Sequence, residues 1–408
     1  MSSLTWLDHS EADRKRALDF VDTFREAGTV DELGIGVIRD AFSDLLFPGT
    51  STLHTRARYL LFVPWCYLRL EQYAMRTKRT YQQVANRARD IEAELMTALK
   101  SGEDNEGMLG KDAGAALKQL PSQVYWQGLG RLGIRVYGGT RAQLHRDLAH
   151  RTLSRSVPEM VDMDEPPATR DGLVWHADLP AEPKDFLVRV GFSLPADEAV
   201  YLRDRILARA PGTMLAHMMV SGASLDGATA PWEYSAVAEL PDGIREQVRQ
   251  ARIFAVTMWG SALLYNLILA EKRAATGSES DELVERYRLD LMTWRDELEA
   301  LQPTLDGWAP SHMWQHVTDR AARSPRTVAF VQEWFDVALH DSAGVAASDR
   351  ARRLVSQREQ MLKGRLSRIY NDHALELWSG ASGRHLITYR WSNVVGLVRD
   401  VREGLERR

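Results

Sequence analysis

From Ile253 to Ala270 the chain runs 18 residues without a formal charge, closed by Arg252 at one end and Glu271-Lys272-Arg273 at the other. That just reaches the roughly 18–20 apolar residues a helix needs to cross a bilayer. Thr257, Gly260, Ser261 and Asn266 dilute the run near its centre, and a helix apolar all round is also what the middle of a large core demands. The core reading is favoured, and no membrane partner is expected. Such a helix needs a chain long enough to enclose it. At 408 residues, 44% hydrophobic and 26% charged, this one has room for two to three domains of ~150 residues, or for one large domain. The opening Met1-Ser-Ser-Leu-Thr-Trp-Leu-Asp8 has neither the basic stretch nor the apolar core of a signal peptide. Cys66, the single cysteine, lies in the apolar run Val63-Pro-Trp-Cys-Tyr67. A buried thiol in a reducing cytoplasm is expected, and a disulfide scaffold is excluded.

Helical signals dominate the rest. Ser10 with Asp13 reads as an N-cap opening an amphipathic stretch to about Glu26. Asp31–Phe47 carries a crowded apolar face stopped by Pro48-Gly49, and a helix from about Ser51 to Met75 contains Pro64 as a kink. Thr80 with Gln83 predicts a capping box for a helix ending near Lys100. Further helices fit 112–131, 140–150, 195–210, 241–273, 280–301, 311–322, 325–341 and 347–378, with a last one from Asn393. Five prolines between Pro158 and Pro183 exclude a helix there. Phe186–Phe192 and His385–Tyr389 are the best strand candidates. The expectation is a mainly α, multi-helix protein of two helical halves with a few short strands. It comprises an N-terminal helical domain with basic segments (1–155), a Pro-rich acidic linker or loop (156–185) and a C-terminal helical domain (186–408).

The formal charge of −4 conceals patterning. Residues 51–90 hold eight Lys/Arg against two acids, 118–156 seven against one, and 345–408 thirteen against seven, each a local +6, so the remainder sums to −22. Arginine supplies 44 of the 52 basic residues, giving planar, permanently charged forks suited to phosphates or carboxylates. A basic face of this kind could hold nucleic acid, an acidic partner or acidic groups of the same chain.

Catalytic and cofactor motifs are weak. Gly128-Leu-Gly130-Arg-Leu-Gly133 matches G-x-G-x-x-G, but the βαβ frame of a dinucleotide site is missing and a glycine-broken helix end is the better reading. No G-x-x-x-x-G-K-S/T occurs. His312 and His316 stand at i and i+4, with Met where a zincin needs Glu. Asp171, Glu182 and Lys184 fit a nuclease-like spacing that Pro183 argues against. Asp372, His373 and Glu376 suit surface pairing better than acid–base chemistry. No cofactor and no metal site are expected.

The most distinctive block is Thr50-Ser-Thr-Leu-His-Thr-Arg56-Ala-Arg58-Tyr59-Leu-Leu-Phe-Val-Pro-Trp65. On a helix Arg56 and Arg58 would lie about 200° apart, whereas Arg58, Trp65 and Arg69 approach one stripe, as do Arg76, Arg79 and Arg87. Aromatic residues interleaved with arginine suit base stacking with phosphate neutralisation. They equally suit a buried aromatic face flanked by arginine stems.

Ser3-Leu-Thr-Trp-Leu-Asp8, Asp31-Glu-Leu-Gly-Ile-Gly36, Phe47-Pro-Gly49-Thr-Ser51, Arg56-Ala-Arg58-Tyr59, Val124-Tyr-Trp126-Gln-Gly128-Leu and Tyr389-Arg-Trp391 together resemble a bacterial domain-of-unknown-function family, over essentially the whole chain. No catalytic residue is carried over. The resemblance implies a setting among phage-defence-type gene clusters, with helicases and nucleases as neighbours.

The leading expectation is therefore an accessory, non-catalytic subunit of a bacterial anti-phage or DNA-processing system. It would contact DNA or RNA through Arg56, Arg58, Tyr59, Arg69, Arg76, Lys78, Arg79, Arg87, Arg131 and Arg135, with helicase- or nuclease-type protein partners. The alternatives are a protein–protein scaffold without nucleic acid, and a cryptic metal-dependent nuclease or hydrolase.

Overall fold

The computed structural model describes residues 31–102, 104–110, 119–154, 174–277, 281–305, 308–317 and 324–407. The expected cap at Ser10, the helix to Glu26, the middle of the proline-rich stretch and Asp171 lie outside them.

Fifteen α-helices run through the described residues. They are α1 (Gly36–Leu46), α2 (Tyr59–Arg76), α3 (Tyr81–Lys100), α4 (Pro121–Arg131), α5 (Arg141–Ser154), α6 (Ala196–Arg209), α7 (Met214–Val220) and α8 (Asp242–Ala275). The series continues with α9 (Asp281–Ala300), α10 (Gln302–Leu305), α11 (Pro310–Trp314), α12 (Pro325–His340), α13 (Asp349–Lys363), α14 (Asp372–Glu376) and α15 (Trp391–Glu406). The protein is mainly α. No strand occurs among the described residues, and the β pairing there is one isolated bridge, Arg135 with Trp175.

Both strand candidates are thus corrected. Phe186–Phe192 is a run of turns, with Val188 N donating to Asp185 O over 2.9 Å. Its alternating apolar pattern comes from Phe186 and Phe192 plugging the aromatic cluster of Phe62 and Trp65. His385–Tyr389 is irregular and leads into two left-handed residues, Tyr389 (φ 54°) and Arg390 (φ 66°). The helix expected over 347–378 is also broken. Gly364 at φ 54° stops α13, because a left-handed residue cannot continue the hydrogen-bond ladder.

Local caps set several boundaries. The Asp31 carboxylate accepts from Ile35 N and Gly36 N, each at 2.7 Å, opening α1. Thr80 Oγ1 accepts from Gln83 N at 3.3 Å while Gln83 Oε1 accepts from Thr80 N at 2.9 Å, the capping box of α3. At the end of α4, Ile134 N donates to Leu129 O (3.0 Å) and Gly133 N to Gly130 O (3.1 Å), with Gly133 at φ 66°. That is a Schellman end, so the G-x-G-x-x-G stretch is a glycine-terminated helix.

The chain divides into two compact units. One comprises Met1–Phe42 and Gln247–Thr388, the other Ser43–Glu246 and Tyr389–Arg408. Two of the crossings fall inside α1 and α8, and residues 174–185 belong to the same unit as the helices before them. The division expected at 156–185 does not coincide with this one.

The unit holding Gln247–Thr388 is built around α8, in whose most apolar 18-residue window 89% of the residues are buried. Its central polar and small residues have structural roles. Gly260 leaves space for Trp294 of α9, whose ring carbons lie 2.3–2.7 Å from where a Cβ would stand. Asn266 pins a loop by giving a hydrogen bond to Ser382 O and taking one from Ser382 N, both 2.8 Å. Trp294 Nε1 and Trp334 Nε1 donate to Val256 O (2.9 Å) and Thr257 O (2.8 Å). A second polar cluster in this unit is an ion-pair network in which Lys363 and Arg368 both hold Glu32.

In the other unit, α2 is buried on every side from Tyr59 to Tyr67 and contains Pro64 within its helical span. It packs against α3, α4 and α5, while α15 packs against α6 and α7. Trp65 Nε1 donates to Pro180 O over 2.7 Å, fastening the segment after Val174 to α2.

Candidate functional site

The ten residues singled out from sequence all lie in the unit centred on α2, and the structure gives them different surroundings. Tyr59 is wholly buried, its hydroxyl accepting from Leu109 N. Arg58 is also buried and makes a two-pronged pair with Glu198, Nε and Nη2 donating to the two carboxylate oxygens at 2.7 Å each. Arg56 joins Asp400 (3.1 Å) and Asp104 (3.0 Å). Burial works against the charge of Arg56, but the two carboxylates hold its guanidinium above its ordinary value. Arg69 pairs with Glu182 (2.8 Å) and Arg87 with Glu94 (2.6 Å). Arg79 lies over the Tyr73 ring, 4.3 Å from its centroid. Arg76, Lys78 and Arg131 are exposed. The aromatic-and-arginine block is thus occupied largely by contacts within the chain.

Arg131 and Arg135 belong to a different place, a cleft of about 580 Å³. Four segments meet there: the C-terminal turn of α4, the extended piece after it, the stretch around His176, and the last turns of α6. They bring together Arg131, Arg135, Arg205, Arg209 and His176, and no lining residue is acidic.

Two of the four guanidiniums are fixed. Arg135, itself buried, donates through Nη1 to Tyr137 O and Gly139 O and through Nε to Trp126 O, with its Cζ 4.7 Å from the Trp126 ring centroid. Burial pushes its guanidinium below the ordinary value. Arg205 donates from Nη1 to His176 Nε2 over 2.7 Å and from Nε to Leu132 O at 3.4 Å. His176 Nε2 must therefore be an acceptor, and partial burial together with Arg205 lowers the pKa of the ring, which keeps it neutral. The carbonyls of Leu132, Tyr137 and Gly139, past the end of α4, together with Trp126 O inside it, anchor these arginines.

The glycines make this crowding possible. A Cβ on Gly130 would stand 2.4 Å from Arg135 Nη2, and one on Gly133 would stand 2.7 Å from Arg205 Nη2 and 3.0 Å from Arg209 Nε. Gly-Arg-Leu-Gly clears space for three guanidiniums around one helix end. Sequence reasoning found Arg131 and Arg135 but missed His176, Arg205 and Arg209. The available signal was spacing on α6, since Arg205 and Arg209 stand four residues apart, the interval that returns a helix to one face.

Other sequence candidates resolve differently. His373 Nδ1 lies 3.3 Å from Glu376 Oε2 on an open surface, while Asp372 pairs with Lys272 (2.8 Å). His312 Nδ1 accepts from Ala309 N at the start of α11, and that helix ends at Trp314, short of His316.

A helical protein whose arginines converge on a glycine-ended helix is the class these features define. The chain belongs to DUF6361, a family of unknown function whose model matches residues 1–402. No curated protein and no solved structure matches it.

Proposed function

We propose that this protein is a non-catalytic, cytoplasmic accessory subunit of a bacterial anti-phage defence or DNA-processing system that binds nucleic acid through the arginine cleft. The observation carrying this reading is the composition of the cleft, four arginines and a histidine with no lining carboxylate. Guanidinium forks match phosphate oxygens in geometry as well as charge. Exposed Arg76 and Lys78 extend positive charge over the same unit, which suits a strand tracked by its backbone. The setting among helicase and nuclease neighbours comes from the family resemblance.

Fluorescence anisotropy with single- and double-stranded DNA and RNA over a salt series tests it. With about four phosphates neutralised, log K against log salt for a single strand should fall with a slope of about −3. Arg131→Glu with Arg209→Glu should weaken binding at least tenfold and flatten that slope, leaving thermal unfolding unchanged. No binding to any of the four nucleic acids at low salt overturns the reading.

A further inference from the structure

The donors in the cleft are not equivalent, and their arrangement is informative about the ligand. Arg135 and Arg205 each commit Nε and Nη1 to the protein and keep Nη2 without a hydrogen-bond partner among the described residues. Both Nη2 atoms sit against Gly130 and Gly133, and Arg209 Nε lies within 3.0 Å of the same point beside Gly133 as Arg205 Nη2 does within 2.7 Å. Three donors thus crowd along one short glycine edge, two of them immobilised before any ligand arrives. Arg131, exposed at the end of α4, is a fourth and movable one.

We infer that the cleft is a receptor for a phosphate monoester, the terminal phosphate of a nucleic-acid strand or of a free nucleotide. A backbone phosphodiester brings one negative charge and two unbridged oxygens. A monoester brings a charge of about −1.5 to −2 near neutral pH and three oxygens, the better match to a cluster of donors in a lining that holds no carboxylate. The volume agrees. About 580 Å³ is the size of a small-ligand site, with room for a nucleotide, and a duplex cannot enter it. Preorganisation by carbonyls and His176 limits the entropy lost on binding, as a selective site for a small group requires. The inference rests on the proposed nucleic-acid role only for the source of the phosphate.

One single-stranded oligonucleotide prepared with a 5′-phosphate, a 3′-phosphate or hydroxyl ends provides the test, together with a nucleoside monophosphate and its parent nucleoside as competitors. A phosphorylated end should bind about tenfold tighter than the hydroxyl-ended strand, the scale of one added charge-assisted fork. The monophosphate should displace it and the nucleoside should not. Arg209→Gln and Arg131→Gln, both at exposed positions, should erase the difference without changing the melting temperature. Equal binding of all three strands overturns the monoester inference and leaves the nucleic-acid role standing. If no strand binds but the monophosphate raises the melting temperature of wild type and not of Arg209→Gln, the inference stands with a free nucleotide as ligand, and the nucleic-acid role falls. Silence in both assays overturns both.

Discussion

Arg58 and Glu198, 140 residues apart, face each other through two parallel hydrogen bonds of 2.7 Å, and both side chains are more than nine-tenths buried. Arg58 Nη1 also donates to Gly191 O, so all three of its nitrogens are engaged. The pair fastens α6 to the start of α2. Burial pushes the Glu198 carboxyl above its ordinary value, and Arg58 opposes that rise.

Arg58→Ala should cost about 3–5 kcal/mol of stability, because it leaves a buried carboxylate without its counter-charge. Urea unfolding followed by tryptophan fluorescence measures this. Replacing both partners, as in Arg58→Leu with Glu198→Leu, should recover most of the loss. If the single variant unfolds at the wild-type midpoint, the pair contributes nothing to stability.

Of the two cleft glycines, Gly130 separates stability from binding and Gly133 does not. Gly133→Ala puts a side chain at φ 66° and against Arg205 Nη2 and Arg209 Nε, so it should both destabilise, by about 1–2 kcal/mol, and weaken anion binding. Gly130→Ala sits in a helix, where alanine gains roughly 0.5–1 kcal/mol, yet its Cβ would stand 2.4 Å from Arg135 Nη2. It should fold normally and bind anions more weakly. Calorimetry beside an oligonucleotide titration distinguishes the two, and undiminished affinity in Gly130→Ala would show that Arg135 takes no part.

Acid should loosen the unit centred on α2. His54, stacked on Tyr125 with Nε2 3.3 Å from Val124 O, is held down to about 4 chiefly by burial, and His145, 3.2 Å from Tyr67 Oη, likewise to about 4. Unfolded imidazoles titrate near 6.5. Between pH 6.5 and pH 4 the unfolded chain therefore binds more protons, so stability is complete above 6.5 and falls as the pH drops through that window. Each histidine contributes at most ~3 kcal/mol. Urea midpoints from pH 7.5 to 4.5 should decline, and His145→Gln should shallow the decline. A flat profile in wild type would mean that both imidazoles titrate in the folded state as they do in the unfolded chain.

Gly260→Ala tests the seat of Trp294 on α8. The added carbon would lie 2.3 Å from the indole, and overpacking of this kind costs about 1–3 kcal/mol, more than the gain in helix propensity. A lowered melting temperature is expected. A raised one would mean that the two helices can move apart freely.

Much of the helical framework was readable in advance because its signals are local. Thr80 with Gln83 marks an N-terminus, Gly133 a C-terminus, and the charge-free run a buried helix, each within a few residues. What the arginines do was not readable, because their partners are distant in sequence. Nothing near Arg58 announces Glu198, and nothing near Arg56 announces Asp400. The aromatic spacing around them fits a stacking surface and a core equally well. The cleft was half visible for the same reason, since Arg131 and Arg135 sit beside conspicuous glycines, while Arg205 and Arg209 occupy an ordinary amphipathic helix.

The unit that carries the cleft closes with α15, whose Asp400 lies 344 residues beyond Arg56. At synthesis rates of 5–20 residues per second, Arg56 waits on the order of 20–70 s for that carboxylate. During that interval the aromatic helix beside it is complete while α15, which supplies the carboxylate, does not yet exist. Emergence of α15, rather than of the first helices, thus sets when Arg56 gains its second carboxylate and when this unit can finish folding.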